Sequence, residues 1–269
     1  MGFFSWLFKR KQKPAPIKIG LALGSGGAKG FAHLGAIRAF EENGVEFDII
    51  GGTSIGSIVG AFYADGYSST DIFELLKKIN IGDIANTFML GMDTSGMFSV
   101  IDKTIGGKGI EEIKKPFVAV ATEIESGMPR AFTEGNTAIA LCASASIPPF
   151  FKPVVIGNER FVDGAFSDSI PADYVKELGA TYVVGIDLST PEGKPSILAK
   201  LFPTYEKKVE DPKKAGYDNA DTMLHPDLTG YTSTSFKKAH EMYEIGYQTA
   251  ISAVAKIKDD IQKLKKGKQ

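Results

Sequence analysis

The chain has 269 residues, 43% hydrophobic and 23% charged, a length that suits one large α/β domain and a composition unlike that of a disordered or membrane-spanning protein. Its 31 Lys and Arg against 32 Asp and Glu leave a net charge of −1, so no overall basic field is available for nucleic acid. Cys142 is the only cysteine, which excludes an internal disulfide and any multi-cysteine metal site, and a reducing, cytoplasmic setting is expected.

In chain order, Phe3, Phe4, Trp6, Leu7 and Phe8 form an aromatic run followed by Lys9, Arg10, Lys11 and Lys13. The charge comes after the apolar stretch rather than before it, so this is not expected to be a signal peptide, and the run is too short to cross a bilayer. Position 6 is Trp6 rather than Ser or Thr, so the myristoylation pattern fails. Aromatics beside cations suit the headgroup level of an anionic membrane, and residues 3–13 are expected to make the protein peripherally membrane-associated. Pro14-Ala15-Pro16 reads as a linker, giving a tail over 1–16, one domain over 17–255, and a helix end with a lysine-rich tail over 256–269.

Ile17 to Leu23 reads as a buried strand, and a helix is predicted from Ala28 to Asn43, stopped by Gly44. A second strand over Asp48 to Gly51 and a second helix from Ile55, stopped at Gly66, complete a β-α-β-α opening. That alternation predicts a mostly parallel sheet covered by helices, with function at the carboxyl ends of its strands. Another helix is expected over Ser69 to Ile79, and Asn80 to Gly109 reads as irregular. Two hairpins are predicted, one turning at Ser126-Gly127 and one at Gly157-Asn158, the second delivering the chain to Asp163. Between them Asn136 caps a helix of small residues to Ala145. Pro171 opens another helix, Tyr182 to Ile186 is a buried strand, and Thr190 to Gly216 is a lid or an exposed loop. From Phe236 the spacing of Met242, Ile245, Thr249, Val254, Ile257 and Ile261 predicts a long helix.

Two turns carry candidate chemistry. In Gly52-Thr53-Ser54-Ile55-Gly56 a G-x-S-x-G sequence lies between strand and helix, where a sharp turn projects the serine and small neighbours avoid a clash. The helix beginning at Ile55 aims free N–H groups and a positive dipole end at Ser54. In Gly24-Ser25-Gly26-Gly27-Ala28-Lys29-Gly30 the glycines admit an oxygen close to backbone amides. Lys29 stands where a dinucleotide motif needs its third glycine, and Lys29-Gly30-Phe31 is not the ending of a phosphate-binding loop. An oxyanion hole needs only the donors. A base for Ser54 is sought among His33, His225, His240 and Asp163. The order Ser54, Asp163, His225 fits a hydrolase triad, but only two strands precede Ser54 where that fold places several. His33 lies within the first helix and reads more simply as a packing residue. Asp163 ends a strand before Gly164-Ala165, as a base or as an ordinary turn residue.

These motifs together, in this order, resemble the patatin-like phospholipases, as do Ser144-Ala145-Ser146-Ile147-Pro148, Gly179-Ala180 and Gly246-Tyr247. The resemblance spans Ile17 to Ala255. It implies a three-layer α/β/α fold, a Ser-Asp dyad needing no cofactor or metal, and hydrolysis of acyl esters in lipids. By position, Ser54 is the nucleophile, Asp163 its base, and the amides around Gly26, Gly27 and Ala28 the oxyanion hole. Lys29 takes the family's basic position, for the loop or an anionic headgroup. Gly24, Ser25, Gly30, Gly52, Gly56, Gly164 and Ala165 support the motifs, although Ser25 and Ala165 replace the glycines of some relatives. An acyltransferase with the same dyad is the alternative, ahead of a nucleotide-binding protein or a silent membrane scaffold.

Overall fold

A computed structural model of the protein describes residues 16–78, 91–190 and 209–267. The aromatic and basic run of residues 3–13, and most of the segment read as a lid or loop, lie outside the described residues.

Strand β1 (Ile19–Leu23) is buried along its whole length, as an apolar run in mid-sheet should be. It pairs in parallel with β2 (Ile49–Thr53) on one edge and with β7 (Tyr182–Ile186) on the other. Beyond these, β3 (Phe117–Glu123) extends the parallel sheet next to β2, and β8 (Thr222–Leu224) extends it next to β7. The carboxyl end of β1, where the glycine-rich turn begins, is therefore a point at which the chain departs to one side first and the other later. Parallel sheets bind ligands at such a crevice. On the far side the sheet becomes antiparallel. Strand β4 (Pro129–Phe132) and strand β6 (Glu159–Asp163) both pair with β3, and β5 (Val154–Ile156) pairs with β6. The two predicted hairpins are these β3–β4 and β5–β6 pairs.

Alternate strand residues separate two cores, as a pleat of period two requires. Leu21, Leu23, Phe117, Ala119, Val184 and Ile186 face one core, while Ala22, Val118, Val120 and Val183 face the other. The helices in chain order are α1 (Phe31–Glu42), α2 (Ile55–Ala64), α3 (Ser69–Lys78), α4 (Ser95–Ile105), α5 (Thr137–Ser144), α6 (Ala172–Glu177), α7 (Lys214–Asn219) and the long α8 (Ala239–Gly267). The first core is covered by α1 to α5 and by α8. The second is covered by α6, through Ala172 and Val175. The fold is thus three-layer α/β/α, with a mixed sheet.

Three elements depart from the sequence reading. Part of the stretch read as irregular is helix α4, whose Met97, Ile101 and Ile105 turn inward at four-residue intervals. The first turn of helix α7 begins inside the segment read as a lid or loop, while strand β8 falls in a stretch to which the sequence reading assigned no element. Helix α1 starts later than predicted, because Gly27–Gly30 is a single 3-10 turn.

Candidate active site

The register of β3 brings two distant segments together. Val120 pairs with Thr53 at the end of β2, and the next residue, Ala121, pairs with Asp163 at the end of β6. Strand β4 pairs with Ala119 through Thr122 and so takes the opposite edge. Hence β2 and β6, running in opposite directions, meet end to end along one edge of β3. Ser54 is the residue after Thr53, so the serine arrives at Asp163. The Ser54 Oγ donates to Asp163 Oδ2 at 2.6 Å.

Ser54 holds φ 56° and ψ −126°, and is the sole non-glycine with positive φ among the described residues. A side chain there is strained by about 1–3 kcal/mol, and the surroundings must hold it. They do so from three sides. The Ser54 N–H donates to Ser144 Oγ at 2.9 Å, and Ser144 Oγ in turn donates to Val120 O at 2.6 Å. Ser57 Oγ donates to Ser54 O at 2.7 Å. Gly52 and Gly56 close the turn, since a Cβ on Gly52 would stand 2.2 Å from Gly56 O and one on Gly56 2.2 Å from Leu23 O.

Asp163 is buried, and its Oδ1 accepts from Ala165 N at 2.9 Å. Burial pushes its carboxyl up to about 6, while the hydrogen bonds from Ser54 and Ala165 pull it back toward the ordinary carboxylate range. Its backbone is also tied, with N donating to Ser146 O at 2.9 Å and O accepting from Thr122 Oγ1 at 2.9 Å. Ser144 and Thr122 escaped the sequence reading as site residues. Ser144 was marked only as part of a segment carrying the family resemblance, and Thr122 only by its place in an alternating strand.

The glycine-rich turn packs onto the serine turn, because Gly56 approaches Leu23 O and Gly24 O, and Gly30 abuts the Ile55 side chain. The Gly24 N–H donates to Ile186 O and the Ser25 N–H to Ser169 O, each at 3.0 Å. No acceptor meets the Gly26 or Gly27 amide among the described residues. The third expected donor differs, since Ala28 N–H already donates to Ser233 O at 2.8 Å. Lys29 Nζ donates to Leu188 O at 3.4 Å, and burial lowers the lysine from its ordinary value against the pull of Asp187.

None of the three histidines hydrogen-bonds to Ser54 or Asp163. His33 is fully buried, and its ring Nε2–H donates to Gly24 O at 2.7 Å, with burial lowering it to about 4. His225 stacks on Tyr217 with ring centres 5.6 Å apart, and His240 packs against Phe73. The triad of Ser54, Asp163 and His225 is therefore not assembled. Among the described residues no three His, Cys, Asp or Glu side chains group to hold a metal ion.

The family model described as patatin-like phospholipase matches residues 21–176, which include both turns, Ser54 and Asp163. The lysophospholipase NTE1 of Pyricularia oryzae is 28% identical over 281 residues, covering 90% of this chain and 19% of that protein. The lysophospholipase nte1 of Aspergillus fumigatus is also 28% identical, covering 90% of this chain and 18% of that protein. The chain thus spans about one fifth of the length of these curated relatives. Among solved structures, VipD from Legionella pneumophila superposes with a TM-score of 0.57 at 14% identity, covering 90% of this chain and 68% of that one. That likeness concerns the fold alone.

Proposed function

Because this chain belongs to the patatin-like phospholipase family, we propose that it is a serine lipid acyl hydrolase in which Ser54 and Asp163 act as a dyad through an acyl-enzyme. The observation that carries this reading is the 2.6 Å hydrogen bond between the Ser54 hydroxyl and the buried Asp163 carboxylate, at the start of α2. Asp163 takes the hydroxyl proton while Ser54 Oγ attacks the ester carbonyl carbon. The carbonyl oxygen gains negative charge and is received by the free amides of Gly26 and Gly27, aided by the positive end of α2. As the tetrahedral species collapses, Asp163 returns its proton to the departing alcohol and the acyl group stays on Ser54. Water then repeats the sequence, giving its proton to Asp163 and releasing the fatty acid. Ala28, with its amide on Ser233, takes no part in this arrangement.

The names of the relatives point to lysophospholipids, and the description of the family to phospholipids, as the esters to try first. Residues 3–13 supply the attachment to an anionic membrane surface on which such lipids lie. The decisive experiment is labelling with a fluorophosphonate, which captures an activated serine. Wild-type protein should label and Ser54→Ala should not, whereas equal labelling of the two would remove Ser54 from the mechanism. Asp163→Asn should fold and lose about 10⁴-fold in turnover, while His225→Ala keeps its activity.

A further inference from the structure

Two carboxyl groups behind the dyad are left unused by this reaction. Asp168 is 1% exposed, and its Oδ1 accepts from Ile170 N at 3.2 Å. Its Oδ2 is buried and meets no donor among the described residues. Asp173, in the first turn of α6, has a buried Oδ1 that likewise meets none. A buried carboxylate oxygen without a donor is costly, and two neighbouring carboxylates cannot both stay ionised cheaply. One proton answers both deficits and halves the buried charge, because the Asp173 side chain is the hydrogen-bond partner of the Asp168 carboxyl.

We propose that Asp168 is a protonated acid sharing its proton with Asp173, and that this pair makes Asp168 a positioning residue for the dyad. Its backbone is clamped between the two catalytic segments. The Asp168 N–H donates to Gly164 O at 2.8 Å, next to Asp163, and Asp168 O accepts from Thr53 Oγ1 at 2.9 Å, next to Ser54. Movement of Asp168 is therefore felt at both catalytic side chains. Burial, and after it the charge of Asp173, pushes Asp168 up to about 8, against the pull of the Ile170 N–H.

Among the described residues no cation is paired with either carboxyl, and Lys213, beside the Pro212 carbonyl that accepts from Ser169 N, is turned to Ser189 and Asp187. On α6 itself, Tyr174 feels both carboxylates and is pushed up to about 12, chiefly by burial, while Lys176 lies 3.7 Å from Asp221. Glu177 adds to the negative field at Tyr174. On α7, Lys214 is paired with Asp218, and Tyr217 donates to Asp187. Strands β1 and β2 carry no titratable side chain. On β3 the one such group, Glu123, accepts from Ser126, and on β7 Tyr182 bonds to Thr222 and Asp260.

The catalytic half of this inference rests on the Ser54–Asp163 reading, so two measurements separate the two. The first is the pH profile of ester hydrolysis for wild type and Asp168→Asn, whose amide donates without a proton to lose. Wild-type kcat should fall about tenfold per pH unit above about pH 8, and the asparagine should abolish that fall while leaving the acid limb and KM unchanged. Asp168→Ala should lower kcat at every pH, with asparagine restoring it. An alkaline limb identical in wild type and Asp168→Asn overturns the proposal. The second measurement needs no activity. A folded-state pKa raised above the unfolded value gives stability that is full below the unfolded value and lost as pH rises through the folded one. Between pH 6 and 8 the Tm of wild type should therefore fall relative to Asp168→Asn, and a constant difference overturns the shared proton. If the Tm difference changes as expected but no ester is hydrolysed, the dyad reading fails and the shared proton stands.

Discussion

As the proposed base, Asp163 must do two things that pull against each other, accepting a proton from Ser54 and staying ionised while buried. Its value of about 6 sets the compromise, so hydrolysis should fall as pH drops below 6, the carboxyl then being protonated and unable to act as base. The sign for folding is the reverse. With the folded value raised above that of the unfolded chain, the stability contributed by Asp163 is complete below the ordinary carboxylate range and is lost as pH rises through 6. Acid inactivation is thus expected without unfolding driven by this residue, and activity and circular dichroism followed together from pH 7 to 5 would show the two parting. For the same reason Asp163→Asn, which removes the buried charge, should raise stability at neutral pH by up to about 3 kcal/mol while ending turnover. Ser54 makes a parallel bargain with its backbone. Ser54→Gly should abolish labelling yet raise Tm, because glycine adopts φ 56° without the roughly 1 kcal/mol or more of strain that serine carries.

At the scale of elements, α1 and α8 meet backbone to backbone. A Cβ on Gly35 would lie 1.8 Å from Tyr243 O, and one on Gly246 2.0 Å from Ala32 O. The matched glycines on the two helices leave no room for a methyl group. Gly246→Ala should therefore cost about 1–3 kcal/mol by forcing the helices apart, read as a lower midpoint in denaturant with an unchanged slope. The ion pairs along the outer face of α8, such as Lys263 with Asp259, are exposed and screened by solvent, and removing one should leave the denaturation midpoint nearly unchanged. Long elements with a sustained period, β1, α1, α2 and α8, were legible as sequence. Helix α4 was not, because Gly96 and the β-branched Val100, Ile101, Thr104 and Ile105 lower its intrinsic helix preference. Its inward face shows only once α5 is there to cover it. Helix α7 spans six residues and β8 three, too few for a period to register.

Across the whole molecule, the proposed reaction needs a sheet edge to be built, and the proposed role of residues 3–13 is to reach a lipid surface. Deleting the first thirteen residues should abolish sedimentation with anionic liposomes while leaving hydrolysis of a soluble ester intact, and equal sedimentation of both forms would refute a role for the tail. No helix among the described residues is long and apolar enough to cross a membrane. By itself the sequence determined the serine turn, the glycine-rich turn and the α/β class, because each is a local pattern of turn chemistry or hydrophobic period, while Asp163 and the three layers were expected from the resemblance of the linked motifs to the family. Only the tertiary structure decided which partner Ser54 meets. Asp163 lies 109 residues away and reaches it because β2 and β6 end on adjacent residues of β3, a register no local pattern encodes. The same holds for the Ser144 hydroxyl beneath the Ser54 amide, for the Ser233 carbonyl on Ala28 and for the two unmatched carboxyls at Asp168 and Asp173. Each takes its chemistry from what folding places against it, and from whether water has been removed.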